Sequence, residues 1–284
     1  MFYLGCAIWA YKEWVGDLFP PGSRSGDFLR LYSRRLTTVE GNTTFYATPK
    51  PEVVARWADE TPETFQFCLK LPRAVSHSGP LAGQLTSTHD FLARMAPLGP
   101  RLGPYFLQLP PTYGPAQFAD LERWLLEWPR EVALAVEVRH PAWYEAPDEA
   151  RLMELLERHG VGRVVMDVRP IRQSGAGAML DDARERKPNV PMHPLRSGGM
   201  AFVRYIGHPE PAQNDDLLDA WATRLSEWLQ AGDKVYLFMH CPDEARSPGL
   251  CRAIQSRLER LGAVPPLPWN SLAADEPPEQ LRMF

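Results

Sequence analysis

Eight apolar runs in the chain each finish on a polar or aromatic side chain, and within a run that residue keeps one alternating phase. The clearest is Val132-Ala133-Leu134-Ala135-Val136-Glu137-Val138-Arg139. A strand sends alternate side chains to opposite faces. Ala133, Ala135, Glu137 and Arg139 therefore share one face, and Val132, Leu134, Val136 and Val138 share the other. Small residues and charges opposite branched aliphatics suit a strand whose inner side is narrow and whose outer side is buried under helices.

The runs at 3–9, 38–42, 65–70, 105–109, 163–167, 201–205 and 235–240 read the same way. They place in one phase Gly5, Ala7 and Trp9; Thr38, Glu40 and Asn42; Gln66, Cys68 and Lys70; Phe106 and Gln108; Val165 and Asp167; Phe202 and Arg204; and Tyr236, Phe238 and His240. Helical spacing fills 27–35, 51–59, 89–97, 116–128, 148–159, 215–231 and 244–261. Strand and helix alternate throughout, which predicts parallel β/α units. Eight such units in 284 residues predict an α/β fold, a single (β/α)₈ TIM-barrel-like domain over residues 1–284. The alternative is an open doubly wound sheet. It is disfavoured because no G-x-G-x-x-G turn follows the first run.

Two stretches break the rhythm. Residues 168–199 are polar and unpatterned, which predicts a long loop, either a lid or a poorly ordered segment. From about residue 262 the chain reads as an irregular tail. Trp124, Trp128, Trp221 and Trp228 stand at helical spacing and are expected to pack on the strand wall.

Charge narrows the partners. Thirty-one basic against 35 acidic residues give a net −4. That supplies no global pull toward nucleic acid or an anionic membrane, while a local basic pocket remains compatible. No apolar stretch approaches the span of a bilayer. The N-terminus enters a strand directly, with no charged n-region or cleavage site, so no secretory leader is expected. Cys6, Cys68, Cys241 and Cys251 form no C-x-x-C pair and read as buried, reduced thiols of a cytoplasmic protein.

A barrel carries its chemistry at the C-terminal ends of its strands. That rule collects Trp9, Glu40, Asn42, Lys70, Gln108, Glu137, Arg139, Asp167, Arg204 and His240 at one mouth. The following loops add Tyr11, Trp14, Thr44, Phe45, Tyr46, His77, His140 and Trp143. A single member has a plain structural explanation, such as a Glu137–Arg139 pair that satisfies a polar layer. Ten converging from eight strands are harder to dismiss, because buried charges are costly without a partner or a task. Lys70, Arg139 and Arg204 suit a phosphate or carboxylate. Glu40, Glu137 and Asp167 suit acid or base work, or a divalent metal together with His240 or His140. No H-x-H or H-E-x-x-H spacing supports the metal, and the interleaved cations oppose it. The aromatics suit stacking on a sugar or base, or equally a packed plug. Neither a G-x-S-x-G elbow nor a phosphate-binding G-x-x-x-x-G-K-[ST] loop occurs.

Several segments together resemble a known family. They are Trp9-x-Tyr11-x-x-Trp14-x-Gly16, Phe19-Pro20, Val39-Glu40-Gly41-Asn42-Thr43-Thr44-Phe45-Tyr46 and Pro49. Further along come Trp57, Thr61-Pro62, Phe65-x-Phe67-x-x-Lys70-x-Pro72-Arg73 and His77, then Gln108-Leu109-Pro110-Pro111 and Val136-Glu137-Val138-Arg139-His140-x-x-Trp143. This combination, over about residues 3–255, resembles the YecE-like family, domain of unknown function 72. The resemblance implies a TIM-barrel-like fold and no assigned activity. It departs from the family's Arg-x-His-Gly block at Arg204-Tyr205-Ile206-Gly207-His208, and from its Asn pair at His240-Cys241.

The leading expectation is an enzyme that uses acid/base chemistry on a small anionic or polyhydroxylated metabolite, by hydrolysis or isomerisation. Arg139, Arg204 and Lys70 would hold the anion, and Glu137 or Glu40 would act as base. His77 or Asp167 would be the proton partner, and Asn42 and Gln108 would orient hydroxyls. Trp9, Tyr46, His140, Trp143 and His240 complete the expected ligand-binding set. No cofactor is assigned; a divalent metal belongs to one alternative, a metal-dependent hydrolase or isomerase. The other alternative is a non-catalytic protein that binds a nucleotide or single-stranded nucleic acid. No membrane partner is expected.

Overall fold

The computed structural model describes residues 1–175 and 177–271. Eight strands occur, one in each predicted run: β1 (Phe2–Cys6), β2 (Thr38–Gly41), β3 (Gln66–Leu69), β4 (Tyr105–Gln108), β5 (Leu134–Glu137), β6 (Gly162–Asp167), β7 (Met200–Ile206) and β8 (Lys234–His240). The main intervening helices are α1 (Phe28–Ser33), α2 (Pro51–Glu60), α3 (Arg73–Ser76), α4 (Leu85–Met95), α5 (Phe118–Leu126) and α6 (Asp148–His159). They continue with α7 (Arg169–Arg172), α8 (Ala178–Arg186), α9 (Asp215–Gln230), α10 (Ser247–Arg260) and α11 (Pro268–Ser271).

The fold is α/β, with every strand pair parallel. Six strands form one curled sheet in the order β1-β8-β7-β6-β5-β4, and β2 and β3 form a second. The predicted uninterrupted eight-strand ladder is thus broken at two seams, each for a local reason. At β3–β4, Pro104 has no N–H to donate just before β4. Only the bridges Phe67–Leu102 and Lys70–Phe106 span the gap there. At β1–β2, the hydroxyl of Tyr32 replaces ladder bonds: it accepts from Cys6 N at 2.6 Å and donates to Thr38 O at 3.0 Å. Gly5 allows this approach, since a Cβ there would lie 1.9 Å from Thr38 O.

Two apolar layers follow from the strand alternation. The inner one joins Tyr3, Cys68, Phe106, Ala135, Val164, Phe202, Tyr236 and Phe238. Tyr3 stacks on Tyr236 with ring centres 4.7 Å apart, and Phe202 packs against both Phe106 and Phe238. These rings fill the space below the polar ends of the strands. The outer layer buries the other phase under the helices, including Trp124, Trp128, Trp221 and Trp228 as expected.

Residues 168–199 are not the unpatterned loop expected. They carry α7 and α8, and Met166, Val168, Ile171, Ala183 and Ile206 form an apolar seat beneath them. Arg184 holds the two helices together by donating to the carbonyls of Ile171 and Ser174. Of the expected tail, residues 262–271 include α11, and 272–284 lie outside the described residues. Among the described residues no helix is long and apolar enough to cross a membrane. All four cysteines are free and buried, as predicted.

Candidate active site

At the C-terminal ends of the strands, the inner phase changes from aromatic to charged. Glu40, on β2, is completely buried, and Arg204, on β7, grips it through Nε to Oε2 at 2.7 Å and Nη2 to Oε1 at 2.8 Å. The third nitrogen of Arg204, Nη1, donates to Glu137 Oε2 on β5. Glu137 also accepts from Arg139 Nε. Asn42 Nδ2 donates to Glu40 Oε1 at 2.7 Å, and His240 Nε2 lies 3.1 Å from Glu40 Oε2. Gln108 Oε1 closes the network by accepting from Lys70 Nζ at 2.9 Å and Arg139 Nη2 at 2.8 Å.

The electrostatics divide this cluster into two kinds of group. Burial alone would raise the Glu40 carboxyl, but Arg204 and His240 outweigh it and hold Glu40 well below the usual range. Glu137 behaves alike: burial is overcome by Arg139, Arg204 and Lys70, and the carboxyl titrates at about 2. Both carboxylates are ionised and occupied at neutral pH. His240 is pushed down to about 4 by burial, against the pull of Glu40, so its ring is neutral. A proton acceptor works best when its pKa lies near the working pH. The structure therefore opposes the expected role of Glu40 or Glu137 as base. It also takes Arg204 out of the set expected to hold an anion, because all three guanidinium nitrogens are engaged and only 3% of the residue is exposed.

Other groups do titrate near neutrality. Burial, reinforced by Arg204, lowers Lys70 to about 7. The half-buried Lys187, just after α8, falls to about 8 through burial and Arg204. Burial raises the Glu244 carboxyl, in the loop after β8, to about 7, although Ser247 Oγ donates to it at 2.9 Å. His77 is lowered by burial and by Lys70, Arg73 and Arg139. These groups line one cavity of about 490 Å³, with Asn42, Phe45, Gln108, Arg139, Arg186 and His240 also in its wall. The ring of Tyr46, 81% exposed, stands at its rim.

Six expected site residues do not line this cavity: Glu40 and Glu137, which Arg204 holds, and Asp167, Trp9, Trp143 and His140. Asp167 lies on the opposite face of β6. Met166 pairs with Arg204 in the ladder and takes the inner position, while Asp167 is held by Arg169 Nε and Nη2 and by Trp221 Nε1 at 2.7 Å. The run Val164-Val165-Met166 is apolar on both faces, so its alternation carried no phase. Trp9 packs edge-on against Trp57 and Phe67 in the outer layer. Trp143 is fully buried and donates Nε1 to Tyr113 O at 2.8 Å. His140 uses Nδ1 to accept from Ala142 N, capping the turn after β5. Conversely, Arg186, Lys187 and Glu244 escape the sequence reading, and Arg73 enters it only as part of a family motif, without a site role. Glu244 follows a strand end and obeys the loop rule. Lys187 sits far along a segment without periodicity, where no sequence signal points to it.

Among the described residues, no three His, Cys, Asp or Glu side chains are placed to share a metal ion. His240 and Glu40 touch, but Arg204 occupies both oxygens of Glu40.

The fold and its charged mouth define an α/β protein built on a curled parallel sheet, with a polar cluster at the strand ends. Comparison with known sequences gives the family. The model for "Protein of unknown function DUF72" matches residues 3–272, and the chain belongs to this family. The UPF0759 protein YecE of Escherichia coli K12 is 38% identical over 278 residues, covering 95% of this chain and 99% of the relative. A DUF72 family protein of Enterococcus faecalis V583 superposes with a TM-score of 0.64 at 17% identity, covering 91% of this chain and 96% of that one. A Thermotoga maritima MSB8 member superposes at 0.63 and 19% identity, covering 93% and 100%. At these identities the solved structures bear on the fold alone.

Proposed function

We propose that the mouth binds a small anionic metabolite and acts on it by acid/base chemistry, as an isomerase or hydrolase. The observation that carries this is one cavity lined by Lys70, Arg73, Arg139 and Lys187, whose neighbouring carboxylates are already committed to Arg204. Arg73 and Lys187 have no ion-pair partner among the described residues, and cations that keep their charge beside a cavity suit phosphate or carboxylate. Its volume fits a metabolite rather than a polymer. Perturbed groups near neutrality gather at functional sites. Here these are Lys70, Glu244 and Lys187, with His77 beside them. In this reading Gln108 and Asn42 orient the ligand, and α8 contributes Arg186 and Lys187 as part of a lid. The reading includes the eight strands as one barrel, closed across both seams, in a single cytoplasmic domain.

A second reading has one observation in its favour. The exposed Tyr46 ring offers a face to a nucleobase, which suits a nucleotide bound without chemistry.

Thermal unfolding separates them. Phosphorylated sugars, carboxylic acids, free sugars, nucleotides, short oligonucleotides and divalent metals are tested against wild type, Arg139→Ala and Lys187→Ala. A ligand at a hundred times its Kd adds about 2.7 kcal/mol, roughly 5–10 °C for a chain of this size. Shifts by anionic sugars or acids that vanish in both variants support the proposal. Shifts by nucleotides alone favour the second reading. The absence of any shift overturns both.

A further inference from the structure

We infer that Lys70 is a covalent nucleophile: its amine forms a Schiff base with an aldehyde or ketone that also carries a phosphate or carboxylate. This rests on the anion-binding reading above and adds a reaction to it.

The surroundings of Lys70 Nζ suit a nucleophile. Its hydrogen-bond partner is a neutral amide oxygen, Gln108 Oε1, and among the described residues no carboxylate forms an ion pair with it. The two nearby glutamates are held by Arg204 and Arg139; through space they favour the charged amine, but burial and Arg204 outweigh them. Nζ also lies 3.9 Å from the centre of the Phe45 ring. A lysine becomes nucleophilic when burial and adjacent cations favour the neutral amine. Here both conditions hold, with Arg204 and Arg139 acting through space. Lys70 also follows directly on β3, so its Cα is fixed by the sheet while the amine reaches the cavity. Sites built on rigid elements hold their reacting atoms in place.

The step balances without an outside reagent. The neutral amine attacks the carbonyl carbon, a C–N bond forms, and the π pair moves to oxygen, which takes up a proton as nitrogen loses one. The C–O bond of the carbinolamine then breaks, the hydroxyl accepts a proton and leaves as water, and a protonated imine remains. Overall the amine, the carbonyl compound and one proton give the iminium and water. Glu244 lines the same cavity, and in this proposal it is the carboxylic acid that supplies that proton. Arg73, Arg139 and Lys187 would hold the anionic end. The iminium is an electron sink, so the chemistry it opens is proton removal or carbon–carbon cleavage next to the former carbonyl.

The chain has five lysines, which makes the test clean. Lys12, Lys50 and Lys234 are exposed and serve as internal references. The full-length protein is treated at pH 7.5 with cyanoborohydride and one of glyceraldehyde 3-phosphate, dihydroxyacetone phosphate, pyruvate or glyoxylate. Adducts are counted by intact mass and located by peptide mapping. The expected result is one reduced adduct per chain at Lys70, formed at least tenfold faster than at the reference lysines. Inorganic phosphate should suppress it, and Lys70→Arg, shown folded by its unfolding midpoint, should abolish it. Even labelling of the references, or a single adduct at Lys187, would overturn the assignment. If anions raise the unfolding midpoint but no carbonyl compound is trapped, the binding reading survives and the Schiff base falls. If neither occurs, both fall.

Discussion

Replacing Arg204 with Met should show what the buried cluster costs when its centre is removed. Met retains most of the volume of the aliphatic stem, so little cavity is added. What disappears is one guanidinium that makes three hydrogen bonds to two carboxylates, both at most 1% exposed. Removing one partner of a buried pair costs about 3–5 kcal/mol, because the remaining charge is stranded. For a domain of this size that lowers the unfolding midpoint by roughly 6–15 °C. The pH dependence identifies the cause. For Glu40 and Glu137 burial is the largest influence and raises the carboxyl; Arg204 opposes it. Without Arg204 the folded-state values rise, and the folded variant binds protons that its unfolded chain does not. Its stability then improves as pH falls. Urea unfolding of both proteins at pH 7.5 and pH 5 should therefore show a gap that narrows at the lower pH. Adding Glu40→Gln should recover part of the loss, since a neutral amide strands no charge. A gap under about 1 kcal/mol, well below the cost of a broken buried pair, or one equal at both pH values, would refute the reasoning.

Two further outcomes follow from the same geometry. The folded-state value of His240, about 4, lies below its ordinary 6.5, so the unfolded chain binds the extra proton between these values and stability should fall as pH drops from 6.5 to 4. His240→Gln should flatten that part of a stability–pH curve; an unchanged slope would mean the ring is charged in the fold. Tyr32→Phe should cost about 1–3 kcal/mol in urea unfolding by leaving Cys6 N and Thr38 O without their bridge, and a near-zero cost would mean the two strands pair directly there.

The strand alternation was legible wherever one face differed from the other. In β2, β3, β4, β5, β7 and β8 the charged or polar phase points inward, and Glu40, Lys70, Gln108, Glu137, Arg204 and His240 meet as expected. In β6 the middle of the strand, Val164-Val165-Met166, is apolar on both faces, and the charges Arg163 and Asp167 both stand on the outer side, so the pattern puts Asp167 on the wrong face. Partnership was less legible than position. Arg204 looked like an anion receptor, yet it is consumed by two carboxylates from strands far away in sequence, which no local pattern displays. The indoles of Trp9 and Trp143 resembled stacking platforms, but burial under neighbouring segments decides their role, and that depends on tertiary packing. Lys187 reaches the mouth only because α7 and α8 fold back on an apolar seat, a contact with no periodic signature.

The central claim is that Lys70 presents a largely neutral amine to a cavity that binds anions. Competitive acetylation of the native protein from pH 5 to 10, read lysine by lysine, tests this directly. The account predicts half-maximal reactivity of Lys70 near pH 7, and protection of Lys70 by the anion found in the thermal screen while Lys12, Lys50 and Lys234 react unchanged. A Lys70 that follows the same pH curve as those three, or that the anion fails to protect, would contradict it.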